Sequence, residues 1–286
     1  GASLTTPDSV ELNILLREMV DAGMKYCAME VSSIAIVMDR VYGLDFRTAL
    51  FTNLTSEHLD FHGSMDEYFK AKKILFDGLK AGSSAISNMD DQYGESILAE
   101  TEADKFFYSV ERSSDLKPEK MNISVSGISF ELRYRGEAQR IKSGLTGKFN
   151  AYNILASASI ALKNGVDLKT ISEAVESFES VPGRFNRVDL PNGAAAVVDY
   201  SHTSDSLKNA IEAARDLVEL GQEGGKVITI FGCGGNKDKT KRPVMGKLAV
   251  KLSDHAIITS DNPRYEDPYV IIDEIVSGTN GNTNYE

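Results

Sequence analysis

Short apolar segments alternate with helical segments along this chain, and that alternation limits its fold more than any other feature. Strands that alternate with helices are typical of α/β domains built on parallel sheets. The alternation occurs twice, and Val181-Pro-Gly-Arg184 interrupts it. Proline and glycine together commonly mark a break between regular elements. We therefore predict two α/β domains, which cover residues 1–182 and 183–286.

The first predicted domain combines two kinds of strand. Apolar runs predict strands at residues 24–31, 47–54, 84–87 and 105–108. Helical spacing predicts helices at residues 9–22, 65–76, 91–99, 150–163 and 168–178. Between residues 122 and 142 apolar and polar residues alternate, which predicts an antiparallel hairpin with its turn at Ser126-Gly127. The domain is therefore predicted as a parallel sheet with an added antiparallel hairpin.

The second predicted domain repeats the alternation without a hairpin. Its apolar runs predict strands at residues 194–199, 226–231 and 255–259. Its helical segments cover residues 204–220, 241–252 and 268–276. Helices between consecutive strands favour a second parallel sheet.

Composition and charge exclude several classes of protein. The 286 residues carry a net charge of −11, which argues against a nucleic-acid backbone as partner. No apolar run reaches membrane-spanning length, and no signal peptide is present. Cys27 and Cys233 lack metal-ligand spacing and are predicted to be buried, reduced thiols. We therefore expect a cytoplasmic protein that binds neither nucleic acid nor a membrane.

Residues 52–76 bring two histidines, several acidic residues and a lysine-rich helix into one short segment. The segment passes from strand to loop to helix, and α/β proteins bind ligands at the carboxyl ends of such strands. On a helix, His58 and His62 would share one face and could bind a metal ion. The residues between them are more typical of a loop, which favours a solvated polar segment. The lysines of the helix are, by themselves, typical of a solvated face.

Glu30 lies near the carboxyl end of the first predicted strand. A carboxylate in that place is either the N-cap of the next helix or a ligand of a hard cation. His58 follows the end of the neighbouring predicted strand. Together the two residues favour a shared site for a divalent metal ion.

Two further polar residues have a structural and a functional interpretation. Asn150 lies at the start of a predicted helix, and it either caps that helix or bonds to a base such as adenine. Asp199 ends the first strand of the second domain. Its carboxylate is either part of a loop or cap, or an acceptor for ribose hydroxyl groups.

A glycine-rich turn, Gly232-Cys-Gly-Gly235, follows a predicted strand of the second domain. Such turns expose backbone N–H groups to anions. A basic run lies just beyond it and consists of Lys237, Lys239, Lys241 and Arg242. Arg264, in Asp261-Asn-Pro-Arg264 after the next strand, is suited to a bidentate pair with a carboxylate. These residues together predict an anion site.

Seven motifs, taken together and in order, resemble the Mur ligase family of peptidoglycan synthesis. They are Met29-Glu-Val-Ser-Ser33, residues 52–63, Gly147-Lys-Phe-Asn150, Asp199-Tyr-Ser-His-Thr203, Phe231-Gly-Cys-Gly-Gly235, Lys241-Arg-Pro243 and Asp261-Asn-Pro-Arg264. The resemblance covers nearly the whole chain, and the last motif is typical of the MurE branch, which adds the third residue of the stem peptide. It implies a Mur ligase central domain over residues 1–182 and an incomplete Rossmann-like C-terminal domain over residues 183–286.

The resemblance also implies a role for each residue that matches a family motif. The implied roles are UDP-MurNAc-L-Ala-D-Glu binding for Thr5, Thr6, Ser32 and Arg40; Mg²⁺ binding and catalysis for Glu30, His58 and Lys72, the last as a carbamate; nucleotide binding for Asn150, Arg184, Asp199 and His202; and meso-diaminopimelate binding for Lys237, Asp261, Asn262, Pro263 and Arg264. The implied reaction is ATP-dependent amide-bond formation through an acyl phosphate. ATP and Mg²⁺ are the implied cofactors, and a monomer is expected.

Three departures from the family pattern accompany the resemblance. Lys237 stands where diaminopimelate-adding members usually carry arginine, and Ile34 replaces a histidine that often follows the two serines. The family's N-terminal UDP-binding domain, Gly-Lys-Thr phosphate loop and C-terminal end are not in this sequence, so we expect a fragment that is inactive by itself. The alternatives are an L-lysine-adding ligase and a non-catalytic binding protein on a Mur scaffold.

Overall fold

The computed structural model describes residues 4–191, 193–221 and 224–286. These residues form two compact units. Unit 1 comprises the described residues up to Lys117 together with Leu155–Asp167, and unit 2 comprises those of Pro118–Ile154 and Leu168–Glu286. The sequence boundary after residue 182 stays a prediction. Within the described part of the chain, no helix combines the length and the apolar character that crossing a membrane requires.

Unit 1 is built on a three-stranded parallel sheet. Its strands are β1 (Thr48–Phe51), β2 (Ser84–Asn88) and β3 (Asp104–Tyr108), in the order β1-β2-β3. In the register of the sheet, Thr48 pairs with Ser84, and Ser84 pairs with Asp104. The helices are α1 (Ser9–Asp21), α2 (Ser33–Val37), α3 (Leu59–His62) and α4 (Met65–Asp77). The sheet and helices α1 and α4 confirm the sequence predictions.

Helix α4 forms because its first turn is capped and one of its faces is apolar. Ser64 is the N-cap, and its Oγ accepts a hydrogen bond from Glu67 N at 3.2 Å. On the apolar face, the Phe76 ring packs edge-on against Phe51 of β1, with the ring centroids 6.4 Å apart. This packing holds the loop between β1 and α4 at the carboxyl end of the strand.

Residues 24–31 form no strand, so the prediction of a buried strand there is wrong. No strand of the described residues pairs with this segment, and a backbone without a partner strand cannot form a hydrogen-bonded ladder. Met24 and Tyr26 are 61% and 76% exposed. Cys27 is exposed as well, contrary to its prediction, whereas Cys233 is buried as predicted.

Residues 91–99 form turns and a short 3-10 helix (Ser96–Leu98) in place of the predicted α-helix. The Asp91 carboxylate accounts for the difference, because it accepts hydrogen bonds from Tyr93 N at 2.8 Å and from Leu54 N at 3.1 Å. An aspartate that bonds to nearby backbone groups competes with helix formation. The bond to Leu54 also secures the loop that follows β1.

Unit 2 begins with an antiparallel sheet, in which β4 (Pro118–Ser124), β5 (Gly127–Tyr134) and β6 (Glu137–Ser143) lie in that order. Strands β4 and β5 confirm the predicted hairpin, and β6 adds a third strand to it. The turn requires glycine at Gly127, where a Cβ atom would lie 2.0 Å from Ser143 O. Helix α5 (Lys148–Lys163) begins in unit 2, and its residues from Leu155 onward belong to unit 1. Helix α6 (Leu168–Ser177) lies in unit 2, and both helices confirm predictions.

The remaining strands of unit 2 form two pairs. Strands β7 (Asn186–Asp189) and β8 (Ala195–Val198) are antiparallel, whereas β9 (Ile228–Phe231) and β10 (His255–Ile258) are parallel. The predicted parallel arrangement is therefore confirmed for β9 and β10 but wrong for β8. Strand β7 escaped prediction because three of its four residues are polar, and the single valine gives no apolar alternation.

Three helices complete unit 2, namely α7 (Ser204–Gly221), α8 (Lys241–Leu252) and α9 (Pro268–Val276), and all three confirm predictions. Asp267 caps α9 by accepting a hydrogen bond from Tyr269 N. Helices α8 and α9 approach closely at Gly246, where a Cβ atom would lie 2.1 Å from Ile275 O. This close approach brings the first turn of α8 near the side chains of α9.

Candidate functional site

Thr6 joins several of the predicted substrate-binding residues in unit 1. Its buried hydroxyl donates to Glu30 O at 2.9 Å and accepts from Ser32 N at 3.2 Å. Arg40 Nη1 donates to Thr6 O at 3.2 Å, and Thr5 is exposed beside them. The structure therefore brings Thr6, Ser32, Arg40 and the backbone of Glu30 together.

The cap of helix α2 decides between the two interpretations of Glu30. Ser32 is the N-cap, and its Oγ accepts a hydrogen bond from Ala35 N at 3.2 Å. The Glu30 side chain is exposed and is not the cap of this helix. The geometry therefore excludes Glu30 as the cap of α2, and its role as a metal ligand stays a prediction.

Tyr68 of α4 is the centre of a second cluster in unit 1. Lys72 Nζ lies 5.1 Å from the Tyr68 ring centroid, and the His58 ring lies edge-on to it at 6.2 Å. The ring is buried, and burial first, then the charges of Glu57 and Glu30, raise the pKa of Tyr68 to about 12. Tyr68 is not among the site residues predicted from the sequence, so its contacts with two predicted metal ligands were missed.

Lys72 differs from the other two lysines of helix α4. Lys70 pairs with Asp66 at 2.6 Å, and Lys73 pairs with Asp77 at 2.7 Å. Lys72 is half-buried and has no ion pair with any residue that the structure describes. Burial lowers the pKa of Lys72, although the nearby charges of Glu57 and Glu30 act in the opposite direction. The interpretation of all three lysines as one solvated face is therefore wrong for Lys72 and for Lys73, whose side chain is 14% exposed.

A lowered lysine pKa favours the neutral amine, which is the form that reacts with CO₂ to give a carbamate. Over the described ranges, no three or more His, Cys, Asp or Glu side chains are grouped so that they could hold a metal ion. A carbamate on Lys72 would add oxygen donors beside Glu30 and His58. These three residues therefore fit Mg²⁺ only with Lys72 in that modified form.

His62 supports the Glu30–Ser33 segment instead of forming a metal pair with His58. Its Nε2 lies 2.9 Å from Ser33 Oγ, and its ring stacks on Tyr68 with centroids 5.0 Å apart. Burial, followed by the charges of His58 and Lys72, lowers the pKa of His62. A neutral imidazole bonded to a buried serine is typical of a structural contact. Sequence spacing could not distinguish this contact from ligation.

Two of the predicted nucleotide-binding residues, Asn150 and Asp199, make hydrogen bonds within unit 2. Asn150 is buried, and its Nδ2 donates to Thr146 O at 2.8 Å. Asp199 Oδ2 accepts from Phe185 N at 2.7 Å, which agrees with the loop interpretation of this aspartate. The rings of Phe149 and Phe185 lie 5.4 Å apart, and they connect the start of α5 with the loop after Arg184.

Tyr200 is an exposed aromatic residue that the sequence analysis missed. Its ring lies 5.4 Å from the Arg184 guanidinium and 5.3 Å from the His202 ring. The Tyr200 side chain is 66% exposed, so one face remains open to a planar ligand. An aromatic residue directly after Asp199 is the sequence signal that could have identified it.

The two loops that hold the predicted amino-acid site are in direct contact. Gly235 N donates to Asn262 O at 2.8 Å, and a Cβ atom on Gly235 would lie 1.9 Å from Pro263 O. Arg264 has a left-handed φ of 52°, and its backbone N donates to Asn262 Oδ1 at 3.3 Å. The side chains of Lys237 and Arg264 are exposed. Glycine at Gly235 is therefore what allows the two loops to meet.

The basic run beyond the glycine-rich turn is mostly occupied by contacts within the protein. Arg242 is fully buried and pairs with Glu266 at 3.0 Å, and Lys239 pairs with the same carboxylate at 3.0 Å. Lys241 Nζ donates to His202 O at 2.6 Å. The prediction that the whole run faces an anion is therefore wrong for Lys239, Lys241 and Arg242, and only Lys237 keeps that role as a prediction.

The Glu266 carboxylate should make the stability of unit 2 depend on acid pH. Hydrogen bonds from Arg242, Asn236 N and Lys239 lower the pKa of Glu266 to about 2, from 4.5. A lowered carboxyl pKa stabilises the fold above the unfolded value, and that contribution is lost as pH falls through the folded value. We expect the wild-type chain to lose more stability than Glu266→Gln between pH 4.5 and pH 2.

Urea titrations at several pH values in that range, followed by circular dichroism, measure the two losses. Glu176→Gln, on the exposed part of α6, is the matched control and should follow the wild-type curve. A Glu266→Gln curve parallel to that of the wild type would contradict the prediction.

Two family models match this chain. Residues 1–161 match the Mur ligase middle domain, and residues 183–286 match the glutamate ligase domain of Mur ligases. The matched segments together cover most of the sequence. The first of them alone covers more than half of it.

Curated proteins of one name resemble the chain over nearly its whole length. The UDP-N-acetylmuramoyl-L-alanyl-D-glutamate--2,6-diaminopimelate ligase of Clostridium botulinum is 45% identical over 276 residues, which are 96% of this chain and 56% of that protein. The protein of the same name from Bacillus cereus is 41% identical and covers 99% of this chain and 57% of its own length. The chain thus spans about half the length of the curated relatives it matches.

Solved structures agree with these matches. The structure of a UDP-N-acetylmuramoyl-L-alanyl-D-glutamate--2,6-diaminopimelate ligase has a TM-score of 0.67 and 29% identity, and covers 95% of this chain and 55% of that chain. The ADP complex of MurF ligase from Thermotoga maritima has a TM-score of 0.65 at 17% identity over 92% of this chain and 60% of that chain, and shows the shared fold alone. The motif order, the fold and the two domain matches agree, and the chain belongs to the Mur ligase family.

Proposed function

We propose that this chain provides the central and C-terminal domains, bounded near residue 182, of a ligase that joins meso-diaminopimelate to UDP-MurNAc-L-Ala-D-Glu. One observation carries the proposal: Lys72 has a half-buried amine with a lowered pKa beside the charges of Glu57 and Glu30. The names of the two curated relatives support the choice of substrate and amino acid.

The reaction proceeds in two steps, which first activate the substrate carboxylate and then convert it to an amide. ATP transfers its γ-phosphoryl group to the substrate carboxylate, which gives an acyl phosphate and ADP. The amine of diaminopimelate then attacks the acyl carbon, and phosphate and a proton leave as the amide forms. The protein contributes mainly by positioning the reactants and by stabilising negative charge.

Lys72, Glu30 and His58 hold Mg²⁺ in this proposal. The neutral Lys72 amine adds to CO₂ and loses a proton, so that a carbamate with two oxygen atoms replaces a cation. When bound, Mg²⁺ neutralises charge that develops on the transferred phosphoryl group. Tyr68 stays protonated below its pKa of about 12, so the ring that contacts both the Lys72 and the His58 side chains is uncharged.

The UDP-MurNAc-dipeptide binds at the Thr6 cluster, through Thr5, Thr6, Ser32 and Arg40. Arg40 uses one N–H group on Thr6 O, and a guanidinium group has five N–H donors. The guanidinium is therefore oriented by the backbone and has further donors for an anionic substrate. The exposed Thr5 hydroxyl lies directly beside this cluster.

ATP binds near Asn150, Arg184, Asp199 and His202. The open face of Tyr200, between Arg184 and His202, is suited to stacking on a base or contacting a ribose. Asp199 orients the backbone of Phe185 and thereby the neighbouring Arg184. An arginine at that place supplies positive charge to a phosphate chain.

The incoming amino acid binds at the loop formed by Asp261, Asn262, Pro263 and Arg264, opposite Lys237. Arg264 is exposed, and its guanidinium has the fork geometry that a carboxylate prefers. Lys237 adds a point charge in place of a second fork. Two cations at one site favour an amino acid with two carboxylates over one with a single carboxylate.

ADP release by the full-length protein tests the proposal. The assay contains UDP-MurNAc-L-Ala-D-Glu, ATP, Mg²⁺ and either meso-diaminopimelate or L-lysine. We expect turnover with meso-diaminopimelate and at least about tenfold lower kcat/KM with lysine, since one lost carboxylate contact is worth about 1.5–3 kcal/mol.

Two other outcomes would contradict part or all of the proposal. Turnover with lysine alone would keep the ligase but reject the amino acid, and would indicate that Lys237 marks a lysine-adding enzyme. No turnover with either amino acid would reject the ligase in favour of a binding protein on a Mur scaffold.

A further inference from the structure

The Glu266 carboxylate contacts three residues of the segment that leads from the glycine-rich turn into helix α8. Its Oε1 accepts from Asn236 N and from Arg242 Nη2, the latter at 3.1 Å. Its Oε2 lies 3.0 Å from Arg242 Nη1 and 3.0 Å from Lys239 Nζ. The Glu266 side chain is only 14% exposed. A carboxylate with this many charge-assisted contacts is held in one orientation.

These contacts lie on both sides of Lys237. Asn236 precedes Lys237, and Lys239 follows it by two residues, so Glu266 holds the chain before and after the exposed cation. Asn236 Oδ1 also accepts from Tyr265 N at 3.1 Å. The loop that carries Lys237 is therefore connected to the residue directly after Arg264.

Glu266 is connected to the Asp261–Arg264 turn by its own backbone. Its N–H donates to Pro263 O at 3.0 Å, which closes the turn around Arg264. One residue thus fixes the backbone of the Arg264 turn with its amide and the Lys237 loop with its carboxylate. The distance between the two exposed cations depends on both sets of bonds.

Arg242 links this arrangement to the helices of unit 2. Its side chain is fully buried at the start of α8, and besides Glu266 it pairs with Glu274 of α9. Its Nη2 also donates to Gly234 O at 3.3 Å, in the glycine-rich turn. A buried guanidinium bonded to two carboxylates and a backbone carbonyl has little freedom to rotate.

We propose that Glu266, held by Arg242, is a positioning residue that sets the spacing of Lys237 and Arg264 and so selects a diamino acid with two carboxylates. The inference rests on the proposed function, which supplies the amino acid. Glu266 adds little repulsion toward an anionic substrate, because its ion pairs with Arg242 and Lys239 neutralise its charge. Its effect on the substrate passes through the two cations that it positions.

Glu266→Gln in the full-length protein tests this inference. Glutamine keeps the size of glutamate but has one carbonyl oxygen and no charge, so it cannot hold both Arg242 and the Lys237 loop. We expect the KM for meso-diaminopimelate to rise about tenfold or more, with kcat and the KM for ATP changed less than about threefold. The preference for diaminopimelate over lysine should fall by a similar factor.

Glu274→Gln is the matched control, since Glu274 pairs with the same Arg242 but contacts neither loop. We expect it to lower the thermal midpoint without raising the KM for the amino acid. Equal KM values in Glu266→Gln and the wild type would overturn the inference. An equal rise in both variants would also overturn it, because the effect would then follow general loss of stability.

Hydrogen–deuterium exchange gives a measurement that does not depend on turnover. Glu266→Gln should speed exchange in residues 234–239 and 262–265, whereas Glu274→Gln should leave both segments near wild-type rates. Unchanged exchange in Glu266→Gln would overturn the positioning role. Faster exchange in a protein that turns over neither amino acid would reject the proposed function and the selection of a diamino acid, while showing that Glu266 positions the loops.

Discussion

Replacement of Lys72 by arginine is expected to lower the kcat of the full-length ligase about 10³-fold or more, an effect of the size seen when charge stabilisation is removed from a phosphoryl-transfer site. Arginine keeps the long stem and the positive charge of lysine, so packing against Tyr68 is largely preserved. Its guanidinium cannot be deprotonated in a protein, and it therefore cannot form a carbamate. The site would carry a cation where the proposed mechanism needs two oxygen donors.

Lys70→Arg is the matched control, because Lys70 lies on the same helix in exposed ion pairs with Asp66 and Glu67. It should turn over at nearly the wild-type rate. A third variant, Lys72→Ala, should regain part of its activity when formate or acetate is added, since a small carboxylate can occupy the space of the carbamate. A Lys72→Arg variant that kept more than a tenth of the wild-type kcat would contradict the carbamate.

Replacement of Arg242 by methionine is expected to lower the free energy of unfolding of unit 2 by about 3 kcal/mol. The guanidinium is fully buried, and its removal leaves the Glu266 and Glu274 carboxylates without their shared partner. Breaking a buried ion pair on one side is strongly destabilising because the remaining charge stays desolvated. A loss of that size corresponds to a fall of roughly 6–12 °C in the thermal midpoint.

Chemical denaturation of the wild type and the variant measures the change. Arg133→Met is the control, since the Arg133–Glu119 pair is 55% and 49% exposed, and exposed pairs contribute little. The triple variant Arg242→Met, Glu266→Gln, Glu274→Gln should recover part of the loss, because neither carboxylate then remains without the buried arginine, and Lys239, which loses its partner, is 57% exposed. A change below about 1 kcal/mol in Arg242→Met would show that the buried ion pair is not a major source of stability.

Most helices and strands could be predicted because their signals are local. Helix α4 follows from a capping serine and an apolar face, and α9 from an aspartate followed by proline. Strand β7 had no such signal, since three of its four residues are polar and its ladder depends on pairing with β8. Residues 24–31 show the converse, because an apolar run without a partner strand forms no strand.

The sequence motifs predicted which residues of the candidate site to consider, but not the contacts between them. Glu30, His58 and Lys72 were selected from their motifs. The side chains of Lys72 and His58 lie near the Tyr68 ring, and the charge of Glu30 helps to raise the pKa of Tyr68. Their binding roles stay predictions. Tyr68 and Tyr200 were missed because a single aromatic residue in a sequence carries no sign of which side chains will lie on its faces.

The sequence by itself determined the family, the α/β class, the order of the main helices and strands, and the residues worth testing. Only the tertiary structure separated Lys72 from Lys70 and turned Arg242 from a presumed anion-binding cation into a buried anchor. The physical reason is that burial, ion pairing and pKa depend on groups distant in the chain. Arg242 lies 24 residues from Glu266 and 32 from Glu274, and no local pattern records that separation.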